Sequence, residues 1–364
     1  MKPDENKLVF LLGANTPSGF VSRFDQIANP ADGWRTYIIK GGPGCGKSTM
    51  MRKIAGEFAG DPALELIVCS SDIDSLDGVI VPGAKFSIVD GTQPHIMEPV
   101  YPGAVESLVD MTACWNEDTL HNCREEIISI SRSVARCHEY CCRYLAAAGA
   151  LLGDSYRLAL DCVNTTKLNG YLGRLCAKEL KTAPGGQGKE CVRFLTALTN
   201  KGVVKQATSA KALAERIYLI SDENGAVSRL MLHHVRAQAL AAGHDVISCF
   251  CPLAPFDKLE QLFIPALSLG FMTSNRFHDF DLEISPYRII NCARFTDADS
   301  LKVHKKRMAY NRKAAGSMLA QAHELLAEAK ALHDELEGYY IAATDFAKVD
   351  ALTQRLIARM KSRV

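Results

Sequence analysis

The two halves of this 364-residue chain carry the same sequence pattern, and that repeat limits the possible folds more than any other feature. RTYIIKGGPGCGKSTMM (35–51) aligns with RIYLISDENGAVSRLML (216–232), and SLDGVIVPG (75–83) aligns with KLEQLFIPA (258–266). Further short matches keep the same offset of 181–183 residues. One short match can arise by chance, but a shared offset favours a tandem duplication.

A linker divides the two repeats. The segment KTAPGGQGKE (181–190) is rich in Pro and Gly, which is typical of a connection. We therefore predict one unit over residues 1–186 and a second unit over residues 187–364. In each unit apolar strands alternate with a helix, a pattern that favours an α/β fold with a parallel sheet covered by helices.

Each unit ends in a helical section, which we place at about 116–180 and about 297–361. Apolar or small residues recur there every seven positions: Leu120, Ile127, Val134, Cys141 and Ala148 in the first section, and Met308, Ala315, Ala322 and Ala329 in the second. This spacing is typical of one helix packed along another. We predict a helical hairpin within each unit, with the helix near 154–180 as the partner in the first.

Composition narrows the possible partners. The formal net charge of +1 argues against nucleic acid as a partner. No apolar run reaches the roughly 18 residues of a membrane span, and MKPDENKLVF (1–10) lacks the apolar core of a secretory signal. We therefore expect no membrane partner and a cytoplasmic location, with the 13 cysteines present as reduced thiols.

The phosphate-binding motif G-x-x-x-x-G-K-[ST] is present at residues 41–48, between an apolar strand and a helix. Glycines allow the loop to direct its N–H groups at phosphate oxygens, and the following helix adds the positive end of its dipole. Lys47 is expected to reach the β- and γ-phosphates, and Ser48 to bind Mg²⁺. The predicted ligands are ATP and Mg²⁺, and the predicted binding residues are Gly41, Gly42, Pro43, Gly44, Cys45, Gly46, Lys47, Ser48 and Thr49.

A carboxylate that organises Mg²⁺ is expected at the end of a neighbouring strand, and FSIVD supplies Asp90. The alternative is an aspartate that begins the turn Asp-Gly-Thr. No glutamate follows Asp90, so Asp72, Asp74 and His95 are the candidates to position water or an acceptor hydroxyl. Each of the three could instead be a capping or loop residue. Cys45 lies at a helix N-terminus, where we expect a lowered thiol pKa and a possible redox role.

The second unit has lost the motif. Lys47 aligns with Ser228, Ser48 with Arg229, and Asp90 with Thr273, so we expect no nucleotide chemistry there. The acidic pair Asp222-Glu223 stands where a triphosphate would lie. His278 aligns with His95, which favours a structural role shared by both units. We also weigh whether Arg229 or Arg276 reaches across to the first site to stabilise charge on the γ-phosphate.

Four stretches resemble a family of bacterial tandem P-loop ATPases of poorly defined function: FLLGANTPSGF, YIIKGGPGCGKSTMMRKI, IVPGAKFSIVDGTQPH and YPGAVESLVDM. The resemblance implies an ATP-binding fold in each half, and in that family the second unit often keeps its own phosphate loop. This chain departs there. We therefore expect an Mg²⁺-dependent ATPase with one active site in the first half, coupled to movement of the helical hairpins. The alternatives are a small-molecule kinase, in which Asp72 or Asp74 takes the acceptor proton, and a nucleotide-sensing scaffold that does not hydrolyse ATP.

Overall fold

A computed structural model describes residues 7–280 and 283–362. Residues 1–6, which include most of the segment searched for a secretory signal, lie outside that range, as do residues 363–364 at the end of the second predicted unit. In the described part of the chain, no helix has both the length and the apolar character needed to cross a membrane. All 13 cysteines are free, as the sequence predicts.

Among its described residues, the first half contains eight strands and four α-helices. They are β1 (Leu8–Phe10), β2 (Gly13–Thr16), β3 (Gly19–Ser22), β4 (Arg35–Lys40), α1 (Lys47–Glu57), β5 (Glu65–Val68), β6 (Leu76–Val81), β7 (Phe86–Asp90), β8 (Glu106–Asp110), α2 (Glu117–Asn122), α3 (Arg124–Leu160) and α4 (Thr165–Glu179). Six of these strands form one sheet in the order β1-β5-β6-β7-β4-β8, and β2 with β3 forms a separate hairpin.

The second half repeats this arrangement. Its elements are β9 (Glu190–Arg193), β10 (Thr196–Thr199), β11 (Gly202–Lys205), α5 (Ala207–Leu213), β12 (Arg216–Ser221), α6 (Ala226–Ala241), β13 (Val246–Phe250), β14 (Leu259–Ile264), β15 (Leu269–Ser274), β16 (Arg288–Asn291), α7 (Ala298–Val303), α8 (Lys305–Ala343) and α9 (Phe346–Lys361). The sheet order β9-β13-β14-β15-β12-β16 matches the first sheet strand for strand. The prediction of an α/β fold is confirmed.

The prediction of parallel sheets is wrong in one respect, because both sheets are mixed. β6 runs antiparallel to β5 and β7, and β14 runs antiparallel to β13 and β15. Between the apolar strands at 64–70 and 86–91 the sequence pattern predicts only a short connection, but β6 lies there. All six residues of β6 are nevertheless buried, so it is an interior strand.

The prediction of a helical hairpin within each unit is also wrong. α3 packs antiparallel along α8, and the shorter helices cross to the other half: α4 packs on α6, and α9 packs on α1. Length gives the reason. α3 has 37 residues and spans about 56 Å, α8 has 39 residues and spans about 58 Å, but α4 has only 15 residues and spans about 22 Å. Among the helices that the structure describes, α8 alone is long enough to cover the apolar face of α3.

The two halves also share their core near the sheet edges. Leu11 and Phe194 form an antiparallel backbone bridge. Arg193 donates from Nε to Glu65 Oε2 at 2.8 Å, and both side chains are almost fully buried. The predicted boundary near residue 187 falls between α4 and β9, but buried side chains from both halves lie in the same apolar clusters. The two halves therefore share packed apolar clusters rather than having separate cores.

Candidate phosphate-binding site

The loop between β4 and α1 has the backbone shape that its glycines permit. Tyr37, Ile38 and Ile39 anchor β4, and none is more than 2 % exposed. At the end of the loop Gly44 and Gly46 have φ values of 67° and 91°, in the left-handed region that favours glycine. Gly46 caps the N-terminus of α1, so the unpaired N–H groups of that helix point towards the loop.

Lys47 and Asp90 meet beside this loop. β4 and β7 are adjacent parallel strands, so their carboxyl ends lie at the same edge of the sheet. Lys47 Nζ lies 3.4 Å from Asp90 Oδ2, and both side chains are largely buried. Lys47 Nζ also donates to the carbonyl oxygens of Gly41 at 2.8 Å and Gly42 at 2.6 Å. The structure thus brings together the lysine and the carboxylate that the sequence singled out.

Asp90 also begins a turn, as the alternative interpretation proposed. Its Oδ1 accepts hydrogen bonds from the backbone N–H of Thr92 at 2.9 Å and from the Thr92 hydroxyl. These bonds fix Oδ1 of Asp90, so the other carboxylate oxygen, Oδ2, faces Lys47. The two roles are compatible, because the turn orients the carboxylate towards the loop.

The remaining loop residues differ in their accessibility. Ser48 is half-buried, and its Oγ accepts a hydrogen bond from the backbone N–H of Leu76 at 3.0 Å. Pro43 is half-buried and Thr49 is exposed. Cys45 is 1 % exposed, and its Sγ donates to the Gly42 carbonyl at 2.9 Å.

The expectation of an activated Cys45 thiol is wrong. Burial raises the pKa of Cys45, and this effect exceeds the lowering by the neighbouring Lys47 ammonium and by backbone N–H groups. Removal from water disfavours the thiolate more than the helix N-terminus favours it. Cys45 is therefore a packed thiol that holds the shape of the loop.

The three candidates for positioning water or an acceptor are each held by another partner. Asp72 accepts from the Ser75 hydroxyl at 3.0 Å and lies 3.6 Å from Lys330 Nζ. Asp74 pairs with Lys201, whose hydrogen bond is the main cause that lowers the Asp74 pKa. His95 Nε2 lies 2.9 Å from the carboxylate of Asp77 rather than from a residue of the loop.

The second half of the chain contributes residues that sequence reasoning missed. α8 packs against the phosphate loop: a Cβ at Gly42 would collide with the Tyr340 ring, and a Cβ at Gly44 would lie 3.0 Å from the Glu337 carbonyl. Burial raises the pKa of Tyr340, while nearby Lys47 acts in the opposite direction. No local motif marks Tyr340 or Glu337, because their role depends on the crossing of α8 to the first half.

In the equivalent loop of the second half, the side chain of Asp222 occupies the position where an anion would bind. Asp222 is buried, and its carboxylate accepts backbone N–H bonds from Asn224 at 3.2 Å, Gly225 at 3.1 Å and Ser228 at 2.7 Å. These N–H groups lie at the start of α6, where a phosphate loop would bind phosphate. The Asp222 carboxylate thus accepts the hydrogen bonds that a bound phosphate would otherwise accept, at the position where the sequence places an acidic pair.

Neither arginine proposed for the first site reaches it. Arg229 pairs with Asp257, and its guanidinium lies 3.9 Å from the centre of the Tyr156 ring on α3. Arg276 pairs with Glu223. Arg229 and Glu223 line a cavity of about 340 Å³ beside the equivalent loop of the second half. Both arginines are therefore paired within the second half, and the hypothesis of a cross-reaching arginine is wrong for these two residues. Two lysines of the second half do pair with candidate residues of the first half: Lys330 with Asp72 and Lys201 with Asp74.

Comparison with models of known protein families, with curated proteins and with solved structures found no match to this chain. The resemblance to tandem P-loop ATPases therefore stays a prediction. The chemistry must be inferred from the loop at residues 41–48 and from the side chains that surround it.

Proposed function

We propose that the chain binds ATP together with Mg²⁺ at a single site in its first half and hydrolyses it. One observation carries the proposal: Lys47 and Asp90 meet where two adjacent parallel strands end and α1 begins, and Ser48 lies in the first turn of α1. Phosphates bind readily at such a helix N-terminus, because unpaired N–H groups and the helix dipole both favour negative charge. The side chain of Lys47 would exchange its bonds to the Gly41 and Gly42 carbonyls for bonds to phosphate oxygens.

The donor atoms fit Mg²⁺. This ion prefers oxygen ligands, keeps several waters and is usually bound by one or two protein groups plus substrate phosphates. The Ser48 hydroxyl accepts one hydrogen bond, so its second lone pair and its proton remain for other contacts. Asp90 offers Oδ2, since Oδ1 is held by Thr92. When bound, Mg²⁺ would neutralise charge that develops on the phosphates.

Hydrolysis would be coupled to α8. Tyr340 and Glu337 contact the loop glycines, so phosphate entry would change the packing of α8 on the loop. A ligand shifts a conformational equilibrium only through differential contacts with the two states, and these residues supply such contacts. α8 packs along α3, so the coupled element would be this helix pair rather than a separate hairpin in each unit.

A nucleotide-sensing scaffold is the second candidate. Asp72 and Asp74 are held by lysines, and the lowered pKa of Asp74 weakens that carboxylate as a proton acceptor. The pairing of Asp72 with Lys330 and of Asp74 with Lys201 also argues against the kinase alternative, because that mechanism needs one of these carboxylates as its base. Binding of ATP without turnover, combined with a change in α8, would fit the sensing role.

Calorimetry with the full chain, ATP and Mg²⁺ tests the proposal. We expect one site per chain. Lys47→Ala should weaken ATP binding by about 1.5–3 kcal/mol, roughly 10–150-fold, because it removes a charge-assisted phosphate contact. The matched control is Lys53→Ala, which removes an exposed lysine of the same helix that pairs with Asp350.

Turnover measured in the same samples separates the candidates. Phosphate release without any added acceptor supports the ATPase, and binding without release supports the sensing scaffold. Two comparable sites per chain, or equal affinities for the Lys47→Ala and Lys53→Ala variants, would contradict the assignment of the loop at residues 41–48.

A further inference from the structure

Both halves carry a cluster of one cysteine, one carboxylate and one histidine at equivalent positions. The clusters are Cys69, Asp77 and His95 in the first half and Cys251, Glu260 and His278 in the second. The ligand-type atoms of each cluster lie within 4.8 Å of one another. Neither the phosphate loop nor the proposed hydrolysis uses these residues.

The same backbone irregularity lies next to both cysteines, Cys69 and Cys251. A register shift interrupts the pairing of β5 with β6 between Ile67 and Val68, and the pairing of β13 with β14 between Cys249 and Phe250. Cys69 and Cys251 follow these bulges directly. Bulges are typical of places where a strand re-aims a side chain next to a functional site.

In the first cluster, acidic and basic groups are buried together. His95 Nε2 lies 2.9 Å from Asp77 Oδ2, and the two side chains are 4 % and 7 % exposed. His95 Nδ1 is buried and has no hydrogen-bond partner within the described part of the chain. The ring of His95 is packed by Phe20 and Phe24. No lysine or arginine among the described residues forms an ion pair with Asp77.

The second cluster contains a cation of its own. Lys258 Nζ pairs with Glu260 Oε1 and lies 3.8 Å from Cys251 Sγ. Glu260 also pairs with His278 at 3.0 Å and is fully buried. In the alignment of the two halves Lys258 corresponds to Ser75, whose hydroxyl donates to Asp72 instead. The two clusters therefore differ in whether the chain supplies a positive charge.

We propose that Cys69, Asp77 and His95 bind a divalent transition-metal ion, and that Lys258 takes the place of this ion in the second half. A thiolate, an imidazole and a carboxylate are the ligands that Zn²⁺ accepts in proteins. Two ligand atoms about 2.0 Å from a tetrahedral Zn²⁺ lie about 3.3 Å apart, close to the observed 2.9 Å between His95 and Asp77. The fourth ligand would be water.

Titration of the chelator-treated full chain with Co²⁺ tests the site. We expect one equivalent to bind per chain, with a thiolate-to-cobalt charge-transfer band that Zn²⁺ abolishes by displacement. Cys69→Ser should remove the band and weaken Co²⁺ binding by at least about 100-fold, because even changes around metal ligands cost about 10–100-fold. The matched control is Cys251→Ser, which should keep both band and stoichiometry.

Two reciprocal variants test the role of the lysine. Ser75→Lys copies the second half and should abolish Co²⁺ binding while the circular dichroism spectrum stays that of the parent chain. Lys258→Ser copies the first half and should raise the stoichiometry from one equivalent to two. Absence of the band in the parent chain, or a band that survives Cys69→Ser, would overturn the metal site. An unchanged stoichiometry in Lys258→Ser would overturn the assignment of Lys258 as the substitute for the ion.

Discussion

At the scale of single residues, one carboxylate distinguishes the two loops. Asp222 stands where the first loop has Gly41, and it binds three backbone N–H groups of its own loop. Glycine leaves such N–H groups free for an external anion, whereas aspartate satisfies them internally. The carboxylate of Asp222 thus has a structural benefit, since buried donors need partners.

Asp222→Ala should lower the free energy of unfolding by about 1.5–3 kcal/mol, because it leaves buried N–H groups without a charged acceptor. Urea unfolding of the full chain measures the change. Asp257→Ala is the control: Asp257 is 76 % exposed and pairs with Arg229, so its loss should cost about 0–1 kcal/mol. Equal losses in the two variants would show that Asp222 does not hold the second loop.

At the scale of elements, the exchange of short helices depends on specific polar contacts as well as on apolar packing. Glu179, at the end of α4, is 3 % exposed and accepts hydrogen bonds from Arg216 at 2.6 Å and from the Tyr218 hydroxyl at 2.7 Å, both on β12. Burial favours the neutral form of Glu179, but hydrogen bonds from Lys178, Tyr218 and Arg216 outweigh it and lower the pKa of Glu179. The Glu179 carboxylate therefore links α4 to the sheet of the second half through hydrogen bonds with β12.

This contact should make the stability of the chain depend on pH. The pKa of Glu179 is lower in the folded state than its ordinary value of 4.5, so its contribution is present above pH 4.5 and is lost as the pH falls through the folded-state pKa. Glu179→Gln should lower stability at neutral pH by about 1.5–3 kcal/mol and reduce the further loss in acid. Urea unfolding at several pH values measures both effects. The exposed Glu125→Gln is the control, and parallel acid profiles for all three proteins would contradict the assignment.

At the scale of the whole molecule, each half completes the other. α1 of the first half is covered by α9, with Val349 next to Gly46 and an ion pair between Lys53 and Asp350. The long helices α3 and α8 pack along each other, and Arg307 and Asn311 both bind Asp154 across that interface. The duplicated units are thus joined by reciprocal exchange of their helices.

Residues 1–186 expressed alone should therefore lack a cooperative unfolding transition. The fragment exposes the faces of α1, α3 and α4 that the second half covers, and a two-state transition requires a completed core. Calorimetric and urea unfolding of the fragment test this expectation, and addition of residues 187–364 should restore the transition. A fragment that unfolds cooperatively and turns over ATP at the rate of the full chain would show that the second half is not needed for the site.

The sequence by itself predicts the features that depend on local chemistry. The loop at residues 41–48 was recognisable because glycine, lysine and serine at fixed spacing are needed for its backbone shape and its contacts. The strand before it and the helix after it follow from short-range apolar patterns. The repeat predicted two similar α/β halves, and the alignment of His278 with His95 already indicated a feature common to both.

Only the tertiary structure decided which distant segments meet. β6 is an interior antiparallel strand although Asp77 and Gly78 break its pattern, because its neighbours on both sides bury it. Heptad spacing shows that α3 needs a partner but cannot choose between α4 and α8. Tyr340 lies against the phosphate loop because α8, which is far away in the chain, packs on the first half. Lys258 is close to Glu260 in the chain, but the tertiary structure brings His278 to the same carboxylate. Such contacts depend on the summed burial of many side chains, which no local sequence pattern records.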